Sequence, residues 1–131
     1  MKAKIYTESE IKYLKKNPFV IDIKCNRFIE YEPIFKLWCV LQRKYYSEKT
    51  CRELFEYAGF NVNIMNKKLP QARIKSWEDL YIRYGLSYFL DSNNFAMLNN
   101  YIFIKNKRDI ILQELNRLIE KENKKWRKIF I

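Results

Sequence analysis

The residues of this chain whose types and spacing best suit chemistry are asparagines and lysines in one short stretch. Asn63, Asn66, Lys67 and Lys68 all lie within six consecutive positions. An asparagine amide both donates and accepts hydrogen bonds, which matches the exposed edge of adenine, whereas a lysine binds guanine acceptors or a phosphate oxygen. On a helix, Asn63, Asn66 and Lys67 share one polar face. This pattern favours contact with nucleic acid, and the alternative is an ordinary solvated helix face.

Further cations flank this stretch. We expect Arg52, Lys68, Arg73 and Lys75 to contact phosphates, which positions a protein on DNA without reading its sequence. The chain has 26 Lys and Arg residues against 15 Asp and Glu residues, which gives a net charge of +11. Such a charge attracts polyanions because binding releases counterions from their phosphates. The codon bias of an AT-rich genome, which favours lysine, is the alternative source of part of this charge.

Catalytic and metal-binding patterns are missing from the sequence. There is no histidine, which removes the commonest general base, and no phosphate-binding glycine loop. The aspartates lack the clustering that metal-dependent nucleases need, and the cysteines lack the C-x-x-C spacing of zinc sites. These residues are Asp22, Asp79, Asp91 and Asp109, and Cys25, Cys39 and Cys51. We therefore expect a protein that is not an enzyme and that holds neither a metal ion nor a cofactor.

The asparagine and lysine stretch comes after a predicted short helix and a turn. Thr50 and Glu53 form a capping box, so we expect a helix of two turns that begins at Cys51. Gly59 suits the turn that ends this helix, because glycine adopts positive φ without steric cost.

A second helix is predicted directly after the turn. Asn61 suits the N-cap of a helix that begins at Val62, and Pro70 is expected to break or kink the chain beyond it. A helix, a tight turn and a second helix with a polar outer face are typical of a helix-turn-helix, in which the second helix reads DNA.

The rest of the chain is predicted to be mainly α, with one small N-terminal β-hairpin. Only 2 Gly and 3 Pro leave few turns, which favours helices over a sandwich or barrel. A capping box from Thr7 to Glu10 opens a helix that ends before Asn17 and Pro18. Alternating apolar residues over 19–31 predict a hairpin that turns near residues 25–27.

Two more helices are predicted before residue 91. Pro33 opens a helix that runs to about Tyr46, and we expect its Trp38 in the core. An S-x-x-D sequence at 76–79 predicts the start of another helix, which ends or bends at Gly85. Residues 91–94 are then expected to form a loop.

The longest predicted helix runs over residues 107–128 and carries apolar residues three and four positions apart. Leu112, Leu115, Ile119 and Trp126 have the a/d pattern of a short coiled coil. Two alternatives stay open for this stripe. It forms an oligomerisation or docking surface, or it packs back on the domain.

Several short motifs occur in the order that they have in a known family. They are Tyr6-Thr7-x-Ser9-Glu10-Ile11, Asn17-Pro18-Phe19-Val20, Leu54-Phe55-Glu56-x-Ala58-Gly59-Phe60-Asn61 and Ile64-Met65-Asn66-Lys67-Lys68. Residues 6–75 resemble small helix-turn-helix proteins of Firmicutes, which are similar to the first-frame accessory protein of insertion-sequence transposases. The resemblance implies sequence-specific DNA binding without catalysis, and an oligomerisation helix in the C-terminal extension.

The sequence therefore predicts a sequence-specific DNA-binding protein, either a transposase accessory protein or a small transcriptional regulator. We expect a helix-turn-helix domain over residues 1–90 and a helical extension over 91–131, with the helix from Val62 in the major groove. The alternative is a non-enzymatic interaction protein of a mobile element or phage, which binds a host protein through its helical surfaces.

The expected partners are DNA, a second copy of the chain through the C-terminal helix, or a host protein. A membrane is not expected, because no apolar stretch approaches the length of a membrane span. The first residues lack the apolar core of a signal peptide, so the predicted location is the cytoplasm.

Overall fold

A computed structural model describes residues 4–90 and 107–130 of the chain. The described residues form five α-helices and one antiparallel hairpin, which confirms a mainly α fold with a small N-terminal hairpin. The predicted loop at 91–94 lies outside the described residues. The elements are α1 Glu8–Lys15, β1 Val20–Lys24, β2 Phe28–Tyr31, α2 Pro33–Tyr45, α3 Cys51–Tyr57, α4 Leu69–Tyr84 and α5 Lys107–Phe130, with 3-10 turns at Val62–Ile64 and Leu86–Tyr88.

The capping box predicted for α1 is present. The Thr7 hydroxyl accepts a hydrogen bond from the Glu10 N–H at 3.2 Å, and the Glu10 carboxylate accepts one from the Thr7 N–H at 2.9 Å. After the helix ends, the side-chain oxygen of Asn17 accepts a hydrogen bond from the Phe19 N–H at 2.9 Å. The chain is thereby turned into β1.

The hairpin turns where the sequence predicted. Cys25 and Asn26 have φ values of 55° and 57°, and two consecutive positive φ angles are the pattern of a type I′ turn, which matches strand twist. The strict alternation of inward residues fails at one position. A register shift between Val20 and Asp22 leaves Ile21 54% exposed, whereas Ile23 is buried.

The core is centred on α2. Phe35 has no exposed surface, and its ring centroid lies 5.2 Å from that of Phe19 and 5.3 Å from those of Phe55 and Phe60. Trp38 is also completely buried, as predicted. The hairpin, α2, α3 and the turn after it therefore share one aromatic core.

The helix α5 packs against α2 and closes the same core. Leu112, Leu115 and Ile119 are each at most 3% exposed, so the stripe packs back on the domain and offers no oligomerisation surface at these three positions. The side chain of Trp126 lies outside the described residues. Glu122, which interrupts the apolar pattern, is buried and forms an ion pair with Lys44 of α2 at 2.5 Å.

One carboxylate joins three helices. Glu114 of α5 accepts hydrogen bonds from Trp38 Nε1 at 3.1 Å and from Gln42 Nε2 at 3.2 Å, both on α2, and from the Tyr57 hydroxyl of α3 at 3.0 Å. Burial and this hydrogen bond raise the pKa of Tyr57. The contact fixes where α5 lies along α2 and α3.

Two predicted helix boundaries are wrong for the same reason. Pro70 does not break a helix but lies in the first turn of α4, where its missing N–H has no partner to lose. Ser76 therefore falls inside α4 and opens no new helix. Gly85, with φ of 72°, ends α4 as predicted.

Replacing Glu114 tests the joint between these helices. Glu114→Ala leaves the three donors without an acceptor, so we expect the free energy of unfolding to fall by about 2–3 kcal/mol. Urea denaturation measures the loss. Glu120→Ala, an exposed carboxylate on the same helix, is the control and should change stability by less than about 0.5 kcal/mol. Equal stabilities for the two variants would contradict the role of Glu114 in holding α5 to α2 and α3.

Candidate nucleic-acid interface

The first helix of the predicted motif starts where the sequence placed it. The Thr50 hydroxyl accepts a hydrogen bond from the Glu53 N–H at 3.1 Å, which caps α3 at Cys51. The second half of the predicted capping box differs, because the Glu53 carboxylate accepts from the Thr50 hydroxyl at 3.2 Å. The cap and the bounds of this two-turn helix are otherwise as expected.

The glycine turn after α3 is held from both sides. Gly59 has φ of +95°, as its predicted position in the turn requires. The N–H of Phe60 donates to the carbonyl oxygen of Phe55 at 3.0 Å, and Asn17 Nδ2 donates to that of Ala58, also at 3.0 Å. The end of α1 therefore braces the turn that leads to the candidate interface.

The α-helix predicted from Val62 is wrong. Asn61 does cap the segment, since its side-chain oxygen accepts from the Asn63 N–H at 3.1 Å, but the capped segment is a single 3-10 turn that ends at Met65 in extended conformation. The side-chain oxygen of Asn66 then accepts from the Lys68 N–H at 3.2 Å and directs the chain into α4. Asparagine side chains that bond to nearby N–H groups compete with helix formation, which explains the difference.

Arg52 joins α3 to this 3-10 turn. Its guanidinium donates to Asn63 Oδ1 at 2.9 Å and to the Glu56 carboxylate at 3.1 Å. The Asn63 side chain is exposed, but its oxygen is thus engaged within the protein. This hydrogen bond positions the Arg52 and Asn63 side chains together, so neither is placed independently of the other.

The other predicted residues lie around two cavities that flank the start of α4. The first, which we call the cationic groove, has a volume of about 450 Å³. It is lined by Arg43, Arg52, Lys67, Gln71, Lys75 and Glu78, among others. The second, the hairpin cavity, has a volume of about 230 Å³ and includes Lys4, Arg27, Tyr31, Asn66 and Arg73.

The structure thus divides the predicted residues between two sites. Arg52, Lys67 and Lys75 meet at the cationic groove, whereas Asn66 and Arg73 belong to the hairpin cavity. Lys68 is exposed and lines neither cavity.

Most of the predicted cations are free for an external anion. Lys67, Lys68, Arg73 and Lys75 form no ion pair with any carboxylate among residues 4–90 and 107–130, in contrast to Arg52. Exposed cations without a carboxylate partner can neutralise phosphates, and the release of counterions then favours binding. The Glu78 carboxylate at the groove partly offsets their charge.

Sequence reasoning missed three residues at these sites. Gln71 was missed because Pro70 was interpreted as a break. Proline is in fact common in the first turn of a helix and can signal where a helix begins. Arg43 and Arg27 come from α2 and the hairpin, and only the tertiary fold brings them to α4. Arg43 also donates to the Ser47 carbonyl oxygen at 3.1 Å and so holds the loop before α3.

The groove also contains the thiol of Cys51. Burial raises the pKa of Cys51, and Glu78 adds to this, while Arg43 lowers it. The thiol therefore stays protonated at neutral pH. Among the described residues, no group of three His, Cys, Asp or Glu side chains is placed to hold a metal ion.

Comparisons with protein-family models, with curated proteins and with solved structures found no match for this chain. Within the described part of the chain, no helix has the length and apolar character that crossing a bilayer requires.

The geometry of the turn can be tested at Gly59. Gly59→Ala should lower the free energy of unfolding by about 1–2 kcal/mol, because a Cβ at positive φ is strained. Gly59→Asn should lose less, since asparagine tolerates positive φ better. Urea denaturation of both variants measures the difference, and an alanine variant as stable as the parent would contradict the left-handed turn.

Proposed function

We propose that this protein binds duplex DNA sequence-specifically and that the first turns of α4 enter the major groove. The observation that carries the proposal is the cluster of unpaired cations at the start of this helix. Lys67, Lys68, Arg73 and Lys75 occupy its entry and first two turns. A recognition helix contacts base edges with its N-terminal residues while flanking cations bind phosphates.

The helix α4 has the shape that this role requires. Pro70, Ile74 and Trp77 are buried and form the inner face, four and three positions apart. Gln71 and Lys75 are exposed on the open side. The helix has 16 residues, which corresponds to a rod of about 24 Å. One face is therefore anchored in the core while the other is free to meet DNA.

Base contacts are assigned to Gln71 and to the asparagines before the helix. Gln71 offers the bidentate amide that pairs with adenine. Asn66, whose oxygen accepts from the Lys68 N–H, contributes its amide NH₂ group at the entry of α4. Asn63 contributes its free amide group, with its oxygen held by Arg52. Lys67, Lys68 and Lys75, with Arg52, would contact phosphates and fix the register.

The resemblance of residues 6–75 to transposase accessory proteins supports this function. The proposal covers both a transposase partner and a small transcriptional regulator, because either would bind duplex DNA.

The phosphate contacts predict a salt effect. Lys75→Ala should weaken binding to all duplex sequences alike and reduce the slope of log affinity against log salt by about 0.9. Fluorescence anisotropy of labelled duplexes at several salt concentrations measures both. Arg83→Ala, an exposed cation at the far end of α4, is the matched control and should leave the slope unchanged. The same loss in both variants would show only a general charge effect.

The base contacts predict a change in specificity. Gln71→Ala should cost about 1–3 kcal/mol on the preferred site and little on random DNA, because only base-edge hydrogen bonds discriminate sequences. Selection from a random duplex library measures the preference of parent and variant. An unchanged preference would remove Gln71 from the reading surface.

The alternative of an interaction protein predicts a different outcome. If the parent protein shows no salt-sensitive retention of genomic duplex fragments, DNA binding is excluded and the helical surfaces would serve a protein partner.

A further inference from the structure

One residue of the hairpin cavity carries a buried polar group that has no hydrogen-bond partner in the described part of the chain. Tyr31 is 3% exposed, and its hydroxyl has no hydrogen-bond partner among residues 4–90 and 107–130. A buried hydroxyl without a partner costs free energy, so such groups often serve a ligand. The ring of Tyr31 packs in the aromatic core, 5.2 Å from Trp77.

Tyr31 lines the cavity, and its buried hydroxyl lies within electrostatic range of two other residues of the wall. Burial raises its pKa, nearby Tyr6 adds to this, and Arg73 lowers it. Tyr6 and Arg73 both line the cavity with Tyr31. Because the hydroxyl stays protonated at neutral pH, it can donate a hydrogen bond to an anion or to a base edge.

The rest of the cavity wall is cationic in one part and apolar in another. Arg27 and Arg73 are exposed, and neither pairs with a carboxylate in the described part of the chain, so they can receive a phosphate. Phe28, Ile29 and Leu69 supply an apolar surface, on which the flat face of a nucleobase would pack. Asn66 adds an amide for the polar edge of a base.

We propose that the hairpin cavity binds a single nucleotide unit, with its phosphate at Arg27 and Arg73 and its base against Phe28. The cavity has a volume of about 230 Å³ and is partly open, so the unit would lie partly within it and partly on the adjoining surface. The unit is either a free mononucleotide or an unpaired nucleotide in a DNA strand, since both present the same phosphate and base. The site is a different cavity from the cationic groove, and it shares only Asn66 and Arg73 with the proposed duplex interface.

The Tyr31→Phe substitution should weaken ligand binding without lowering the stability of the protein. The substitution removes only the hydroxyl, which has no described partner, so the midpoint of urea unfolding should stay the same or rise. Binding should weaken by about fivefold, the effect of one lost hydrogen bond. Tyr13→Phe, at an exposed tyrosine of α1 outside this cavity, is the matched control and should bind like the parent.

Titration calorimetry of the full chain tests the proposal with defined probes. The probes are the four deoxynucleoside 5′-monophosphates, the matching nucleosides, inorganic phosphate, and a duplex with one unpaired nucleotide beside its fully paired form. We expect a monophosphate, or the duplex with an unpaired nucleotide over the paired one, to bind at least about tenfold tighter than nucleoside or phosphate alone. The Arg27→Gln variant should lose most of this advantage.

The two sources give different supporting results. Binding of the free monophosphates, reduced by Tyr31→Phe, identifies a soluble ligand. A preference for the unpaired duplex that Tyr31→Phe reduces, without binding of monophosphates, identifies a strand nucleotide. Three results would overturn the proposal: no probe binds, phosphate binds as tightly as any monophosphate, or Tyr31→Phe binds like Tyr13→Phe. Because paired duplex is measured separately, failure here is distinct from failure of duplex recognition.

Discussion

The structure depends on the packing of aromatic rings around Phe35. This residue of α2 contacts rings from the hairpin, from α3 and from the turn after it, and its centroid lies 5.9 Å from that of Trp77 on α4. Trp77 in turn stacks on Phe55 of α3, with an angle of 9° between the ring planes. Close-packed rings tolerate little displacement, so they fix the position and orientation of α4. The exposed cations of α4 are thus carried by a helix whose opposite face is fixed in the core.

The same packing explains why the two cavities lie on either side of one helix start. Tyr31 brings the hairpin to α4, and Thr50 and Arg52 bring the beginning of α3 to it. The Arg52 guanidinium then ties α3 to the 3-10 turn through Asn63. The interface is therefore assembled from segments that are distant in sequence, and about half of its cations come from the short stretch between Lys67 and Lys75.

Local rules predicted much of the fold because their interactions connect residues close in sequence. The caps at Thr7 and Thr50 and the turn at Gly59 each need only three or four neighbouring residues. The capping box at Thr7 and the turn were predicted correctly, and at Thr50 the N-cap was correct although the second half of its capping box differs. The segment after Asn61 was predicted incorrectly, because its polar face has helical spacing although asparagine side chains bond to the local N–H groups instead. The error placed the second helix at Val62, whereas the next α-helix begins at Leu69, and it left Gln71 out of the predicted residues.

Features that depend on tertiary contacts left weaker signals in the sequence, or none. The register shift that exposes Ile21 depends on strand pairing, and the apolar stripe of α5 is equally consistent with a dimer or with a domain core. The cations Arg52, Lys67 and Lys75 were named from their positions in or beside the asparagine and lysine stretch, and only the fold shows that they share one groove. Tyr31 resembled an ordinary core tyrosine, since a missing partner for its hydroxyl is visible only in three dimensions.

The position of α5 in the core has a consequence for how the protein is made. Trp38 on α2 donates its indole N–H to a carboxylate that lies 76 residues further along the chain. During synthesis, α1 to α4 leave the ribosome before Leu112 to Ile119 emerge, so the part of α2 that α5 covers is exposed until then. The chain therefore completes its core late, and in that interval an exposed apolar surface is open to chaperones or to self-association.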